Sequence, residues 1–305
     1  MALCLFVYYN KTYTFLLVFV SVFMNIAALC ASHNRSHLTL RSVQQVFYQL
    51  KSTGFHFTIF VVDSESDDDT VIVLNKHLPL VQIIPAKSDD FWARAMSKGF
   101  DFISTHYNFD HLLVFNDDID LFDNAIPQLF KELEFNTKTT DDQIVICGSF
   151  LDKTLSFVSY GGLKRVSRYL FKFSKQTPSF ECCIQVDTLN MNLALIPRIC
   201  LLHDDFLYHA YQHGYADYDF GLQFSKRGGK ILLCKGYQGI CEHHPPSQIH
   251  SKSFLISSFL RLKHICHIKR QPPKYRLLYC WRNSGLLWPF YFLIPYLRAF
   301  LSSHE

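Results

Sequence analysis

From residue 25 onward two kinds of segment alternate, and this alternation limits the folds open to the chain. Unbroken apolar runs (NIAALCA at 25–31, FTIFVVD at 57–63, Leu80–Ile84, Leu112–Phe115 and Ile144–Cys147) are separated by stretches with helical character. In SHLTLRSVQQVFYQLKS the apolar residues Leu40, Val43, Phe47 and Leu50 share one helical face, with Ser36 placed to cap the start and Gly54 to stop it. FWARAMSKGFDFISTH and NAIPQLFKELEF read the same way. Strands that are apolar throughout, rather than at every second residue, are buried on both faces, which is the mark of a mainly parallel sheet between helical layers. The expected class is therefore α/β. In open sheets of this kind ligands bind beyond the carboxyl ends of the strands.

The chain has 305 residues, 49% of them hydrophobic, enough to bury a large core and too many for a disordered chain. Its formal charge of +4 is unevenly spread. After Glu242 nine Lys/Arg, Lys252 through Arg298, face one acid, Glu305. They are interleaved with Trp281, Trp288, Tyr291 and Tyr296 among Leu, Ile and Pro, which suits an anionic membrane surface better than nucleic acid. A plain solvated helix is the other reading. The ten cysteines contain no CxxC pair, and Cys182 and Cys183 are adjacent, so neither a zinc site nor a disulfide framework is indicated and reduced thiols are expected.

Residues 12–32 carry no charge. If the strand begins at Asn25, the remaining Thr12–Met24 makes a helix of about 20 Å against a hydrocarbon core of about 30 Å. A membrane span would need residues 1–11 as well; an interfacial segment would not. Arg35 and Arg41 just beyond the run place the main domain on the cytoplasmic side of a membrane-associated chain. The expected organisation is an apolar segment at 1–24, a main domain at 25–249 and a basic, aromatic helical tail at 250–305.

Three strand ends carry polar clusters: His33-Asn34-Arg35, Asp63-Ser64-Glu65-Ser66-Asp67-Asp68-Asp69 and Asn116-Asp117-Asp118. Carboxylates gathered at one edge repel unless a cation or hydrogen-bonded ligand compensates, and a divalent cation with phosphate oxygens does so. Asp67, Asp120 and Asp123 are read as turn formers and caps. A second acidic focus is YADYDFG, where Asp217 and Asp219 fall near a helix start, two apart and so on different sides. Upstream, Asp204 is placed to cap a helix FLYHAYQH ending at Gly214. Two favourable acids at a helix N-terminus are the plain alternative for Asp217 and Asp219.

The segments SHNR, VVDSESDDDT, DDFWARAMSKGF, LLVFNDDIDL and YADYDFGLQ, in this order, resemble the inverting family 2 glycosyltransferases, closest in look to the rhamnosyltransferase-like group. SYGG (159–162), VDTLNMNLALIPR (186–198), GICEHHP (239–245) and YCWRNS (279–284) extend the likeness over about residues 25–285. It implies a GT-A fold, a Rossmann-like nucleotide-diphospho-sugar transferase, with a nucleotide-sugar half at 25–150 and an acceptor half at 151–249.

On individual residues, the resemblance puts Asn116-Asp117-Asp118 at the family's DxD metal motif. Asn116 stands where an Asp is more usual, and Asp118, then Asp117, would hold Mg²⁺ or Mn²⁺ against the donor's phosphates. It places Asp63 at the base and ribose, Asn34 and Arg35 near the diphosphate, and Asp90 and Arg94 where the protein closes over nucleotide and sugar. Trp92 is a core residue or a sugar platform. Asp217 would be the general base, with Asp219 supporting it. His243 or His244 would lie near the metal, and Asn190 and Asn192 on the acceptor side. Gln223 occupies a position where Arg is frequent, with Arg227 as substitute.

The activity so implied is inverting, metal-assisted sugar transfer from a dTDP- or UDP-sugar to a glycan or lipid-linked acceptor, with no nucleic-acid partner. A nucleotidyltransferase is the second enzyme reading, but SHNRSH lacks the glycines of a phosphate loop. A non-catalytic sugar-nucleotide binder is the third, and it has no need of a base at Asp217.

Overall fold

The computed structural model describes residues 2–9, 12–19, 24–138, 143–167, 170–201, 206–242, 254–268 and 270–301. Its centre is an eight-stranded sheet. The strands are β1 (Asn25–Ser32), β2 (His56–Asp63), β3 (Gln82–Pro85), β4 (His111–Phe115), β5 (Ile144–Cys147), β6 (Ile184–Val186), β7 (Leu193–Pro197) and β8 (Lys230–Leu233). Their spatial order is β6-β8-β5-β7-β4-β1-β2-β3. β1 is parallel to β2 and β4, β2 to β3, and β5 to β8; β7 runs antiparallel between β4 and β5, and β6 is an antiparallel edge. This is the mixed, mainly parallel GT-A sheet.

Side chains along each strand divide between two cores. Ile26, Ala28, Cys30, Ile59 and Val61 face one side, where α1 (Ser36–Thr53), α2 (Thr70–His77) and α4 (Ala125–Thr137) pack. Ala27, Leu29, Phe60 and Val62 face the other, covered by α3 (Phe91–His106), α5 (Ala216–Lys226) and α7 (Pro273–Asn283). α6 (Phe254–Ile265) lies between the main domain and α7 in sequence, and α8 (Trp288–Leu301) follows α7. Two glycines set how closely helices approach the sheet. A Cβ on Gly99 of α3 would sit 2.6 Å from Val62 Cγ2, and one on Gly221 of α5 would sit 2.8 Å from Thr188 Cα.

Gly54 ends α1 in the left-handed region, as expected (φ 73°). Ser36 does not cap it. Arg35 occupies that position without a side-chain cap, and the Ser36 N–H is taken by Asp68 Oδ2 at 3.0 Å. β3 begins at Gln82, two residues later than expected, because Leu80 is exposed in a turn.

The apolar N-terminus is not a helix. Ala2–Tyr9 and Thr12–Phe19 form an antiparallel hairpin, in keeping with their β-branched and aromatic content. Among the described residues no helix is long and apolar enough to cross a membrane. The expected helix at 206–213 is also absent: the chain there makes bends and turns. Phe206, Leu207 and Tyr211 are drawn into the core, and the Gln212 carbonyl accepts the first-turn N–H groups of Ala93 and Arg94 in α3. Tertiary anchoring overrides the local pattern. Asp204 lies outside the described residues.

Candidate functional site

A 610 Å³ cavity opens at the carboxyl edge of the sheet, lined by Ser32, Arg35, Asn116, Asp117, Asp118 and Asp217 among others. A larger cavity of 690 Å³ lies around Met24, His111, Ile144 and Pro197, at the opposite edge, away from the strand-end carboxylates. The smaller one gathers the strand-end acids.

β4 delivers the acidic motif. Its apolar residues are buried and the chain turns immediately after Phe115. The turn is pinned from α1, where the Ser42 hydroxyl donates to the carbonyls of Asp117 (3.0 Å) and Ile119 (2.7 Å). Asn116 donates its N–H to the Asn192 carbonyl at 3.0 Å and accepts Trp92 Nε1–H at 3.2 Å on Oδ1, so its side chain belongs to the wall. Trp92 acts as a wall residue too.

One nitrogen of Arg35 spans the two carboxylates. Nη1 lies 3.1 Å from Asp117 Oδ1 and 2.9 Å from Asp118 Oδ2. Burial raises the Asp117 carboxyl to about 6, against the lowering pull of Arg35. Burial alone would lower Arg35, but Asp117 and Asp118 outweigh it and raise it. Asp118 is the more open of the pair, and its Oδ1 receives the Cys241 thiol at 3.7 Å.

These residues fit a divalent cation in part. Among the described residues no cluster of three or more His, Cys, Asp or Glu could hold a metal by itself. Two adjacent carboxylates at a cavity wall, already attracting a cationic group, supply part of an oxygen shell that phosphate and water can complete, as Mg²⁺ sites commonly do. His243 and His244 lie outside the described residues.

The opposite wall is built by the first turn of α5. Tyr215 enters it in the left-handed region (φ 72°) and stacks on Tyr279 of α7, with ring centroids 4.7 Å apart. A side chain in that backbone region is strained by about 1–3 kcal/mol, and packing of this kind is what holds it. Asp217 then lines the cavity. Its Oδ1 accepts the Tyr218 N–H at 2.9 Å, and Asn190 Nδ2 reaches its Oδ2 at 3.5 Å. Burial raises its carboxyl to about 6, more than those two donors lower it. Asp219 points away from the cavity. It is 1% exposed and held by Arg282 Nε (3.0 and 3.1 Å) and Asn283 Nδ2 (2.5 Å) of α7.

Other predicted residues stand behind these walls. Asn34 organises the loop, its Oδ1 accepting the Asp67 N–H at 2.7 Å. Asp63 is 7% exposed at the end of β2, where Oδ2 accepts the Ser66 N–H and Oδ1 is buried without a hydrogen-bond partner. Its neighbour Ser64 lines the cavity. Asp90 is buried at the start of α3. Burial would raise its carboxyl, but Lys98, the Lys87 N–H and Arg94 hold it below its ordinary value. Arg94 lies 3.9 Å from Asp90 and does not line the cavity. Gln223 and Arg227 border a separate 120 Å³ pocket, and Gln223 bonds Asn283 at 2.9 Å.

Residues to which the sequence reading gave no individual role also line the cavity: His33, Phe91, Tyr160, Met191 and His213. Tyr160 lies in the SYGG segment, which had a place in the resemblance but no role. Burial is the main reason its hydroxyl is pushed well above the usual range, with the charges of Cys241 and Asp118 adding to it.

A family description, Glycosyl transferase family 2, matches residues 29–190. No curated protein matches the chain significantly. Among solved structures, the S. aureus TarS 1-349 crystal structure is similar at 10% identity and a TM-score of 0.49, over 88% of this chain and 72% of that one. A likeness of that size carries no argument about function.

Proposed function

The chain belongs to glycosyl transferase family 2, and from that premise we propose that its cavity transfers a sugar, with inversion, from a nucleoside diphosphate to a hydroxyl of a glycan or lipid-linked acceptor. The observation that carries this reading is that Asp117 and Asp118 on one element and Asp217 on another line a single cavity.

Asp217 takes the acceptor proton as the acceptor oxygen bonds to the anomeric carbon, while the bond from that carbon to the diphosphate breaks on the opposite face. A carboxyl raised to about 6 is ionised at neutral pH yet basic enough for this work. Asn190 and the Tyr218 N–H orient it. Asp118, with Asp117, would hold Mg²⁺ or Mn²⁺, which supplies Lewis-acid stabilisation of the leaving diphosphate when bound. Arg35 bridges this carboxylate pair, and the resemblance gives it a place near the diphosphate. Asp63 stands behind the cavity wall with one carboxylate oxygen unpartnered, and a contact to an N–H or hydroxyl of the nucleoside is the role the resemblance gives it. The resemblance to rhamnosyltransferase-like enzymes makes dTDP-rhamnose the first donor to try and UDP-sugars the second.

Membrane association has its own support. On α8 the exposed residues Phe290, Leu293, Leu297 and Phe300 recur at helical spacing, and Leu286, just before the helix, is 98% exposed. Such a stripe, on a basic C-terminal segment, suits an interfacial helix at an anionic surface and a lipid-linked acceptor. Cosedimentation with anionic vesicles checks it, and loss of binding on Phe290→Ser/Leu297→Ser is the expected result.

Calorimetric binding of UDP, dTDP and GDP with Mg²⁺, with Mn²⁺ and with EDTA tests the donor site. Metal-dependent binding of one nucleotide is expected, followed by transfer whose product has inverted anomeric configuration by proton NMR. A folded protein that binds no nucleotide overturns the reading; binding without transfer to any acceptor favours the non-catalytic binder.

A further inference from the structure

Away from the cavity, β6 and β8 bring two cysteines together. Ile184 faces Leu233 in this antiparallel pair, so the next facing positions are Cys183 and Cys234. Each thiol shifts the other's ionisation, Cys234 lowering Cys183 and Cys183 raising Cys234. Cys183 also donates to Glu132 Oε2 at 3.4 Å, and Glu132, 4% exposed, is paired through Oε1 with Lys235 Nζ at 3.0 Å. The cluster therefore runs from a buried thiol through a half-buried one to a buried carboxylate that is itself neutralised by a lysine.

We propose that Cys183 and Cys234 form a redox-modification site, closing a cross-strand disulfide when the protein meets a two-electron oxidant such as hydrogen peroxide. Facing positions of an antiparallel pair bring Cα atoms to the separation a disulfide needs, so closure requires side-chain rotation rather than backbone displacement. Cys183 is the first nucleophile. It is the more accessible of the two, and Cys234 holds its thiol below the usual value against the raising effect of burial and Glu132. Cys234 stays a thiol until then, because Cys183 beside it and burial both raise it.

In the first step the Cys183 sulfur attacks one peroxide oxygen, the O–O bond breaks, and a sulfenic acid and hydroxide result. In the second, the Cys234 sulfur displaces hydroxide from the Cys183 sulfur and the S–S bond forms. The two thiol protons go to the two hydroxides, so two thiols are oxidised by two electrons and one peroxide becomes two waters. The bridge would staple the edge strand β6, whose continuation carries Thr188, bonded to the Tyr218 carbonyl at 2.9 Å, and Asn190, which reaches Asp217.

The test treats the reduced full chain with hydrogen peroxide, alkylates the remaining thiols and maps peptides under non-reducing conditions. A Cys183–Cys234 linked peptide is expected, together with a Tm that rises on oxidation and returns with dithiothreitol. The Cys182→Ser variant is expected to give the same bridge at the same rate. Linkage of Cys182 to Cys183, or a Cys234 that remains free to alkylate after unfolding, overturns the proposal. Both outcomes are read on the wild-type chain, so they do not depend on Cys183→Ser or Cys234→Ser folding.

Discussion

Asp217 combines two consequences of one environment. Its carboxyl, raised to about 6 by burial, predicts that kcat/KM falls roughly tenfold per pH unit below about pH 6 as the base is protonated. A pH–rate profile checks this. The same shift acts on stability with a definite sign: the folded state binds the proton more tightly than the unfolded one, so stability present below the unfolded pKa is lost as pH rises to about 6. Asp217→Asn is therefore expected to stabilise the protein by on the order of 1–2 kcal/mol at about pH 8 and to have no such effect near pH 4, the full 1.36 kcal/mol per pKa unit being reduced by cavity water. It should also lower transfer by roughly 10²–10⁴ with donor affinity nearly intact. Melting curves at the two pH values and single-turnover rates separate the effects. Asp118→Ala should abolish metal-stimulated nucleotide binding without loss of fold, since its carboxylate is outside both cores; calorimetry with and without Mg²⁺ is the measurement.

At the scale of elements, α5 and α7 hold one wall between them. Arg282 neutralises the buried Asp219 and lies over the Tyr208 ring at 4.1 Å. Arg282→Met leaves that carboxylate unpaired. A loss of about 2–4 kcal/mol is expected, slightly below the range for a fully buried pair because Arg282 is 24% exposed. Chemical denaturation measures it. Gly221→Ala would push α5 away from the Thr188 backbone and so move Asp217 relative to Asn190. Transfer is expected to fall more than nucleotide affinity, which kcat and a separate Kd would show. The helical spacing and the acids of α5 were legible in the sequence. The partner of Asp219 was not, because Arg282 lies 63 residues downstream in a segment whose basic and aromatic content read equally well as a membrane tail. The expected helix at 206–213 failed for a related reason: its apolar residues serve the core and its Gln212 carbonyl serves α3, and neither demand is visible locally.

At the scale of the whole molecule, the C-terminal segment is part of the main core. Tyr275, Tyr279 and Cys280 are buried with residues of α3 and α5. Burying one large side chain contributes about 1.5–3 kcal/mol, and a domain's total stability is about 5–15 kcal/mol. A chain ending before Pro273 is therefore expected to lose its cooperative unfolding transition. Circular dichroism melts decide this; an unchanged Tm would show α7 to be a dispensable appendage.

Local pattern was enough to determine the alternation of strands and helices, the two-sided burial of the sheet, and the placement of acids just beyond strand ends. Each of these depends on residues near one another in sequence: apolar runs, helical spacing, a glycine stop. The order of the motifs implied that Asp117, Asp118 and Asp217 belong to one site, but the contacts that set each acid's surroundings were decided by tertiary structure. Asp117 and Asp118 meet Arg35 across 82 and 83 residues, Asp217 meets Asn190 across 27, and Asp219 is turned away by α7. A carboxylate's role follows from its burial and its neighbours' charges, and those come from chain segments that only folding brings together.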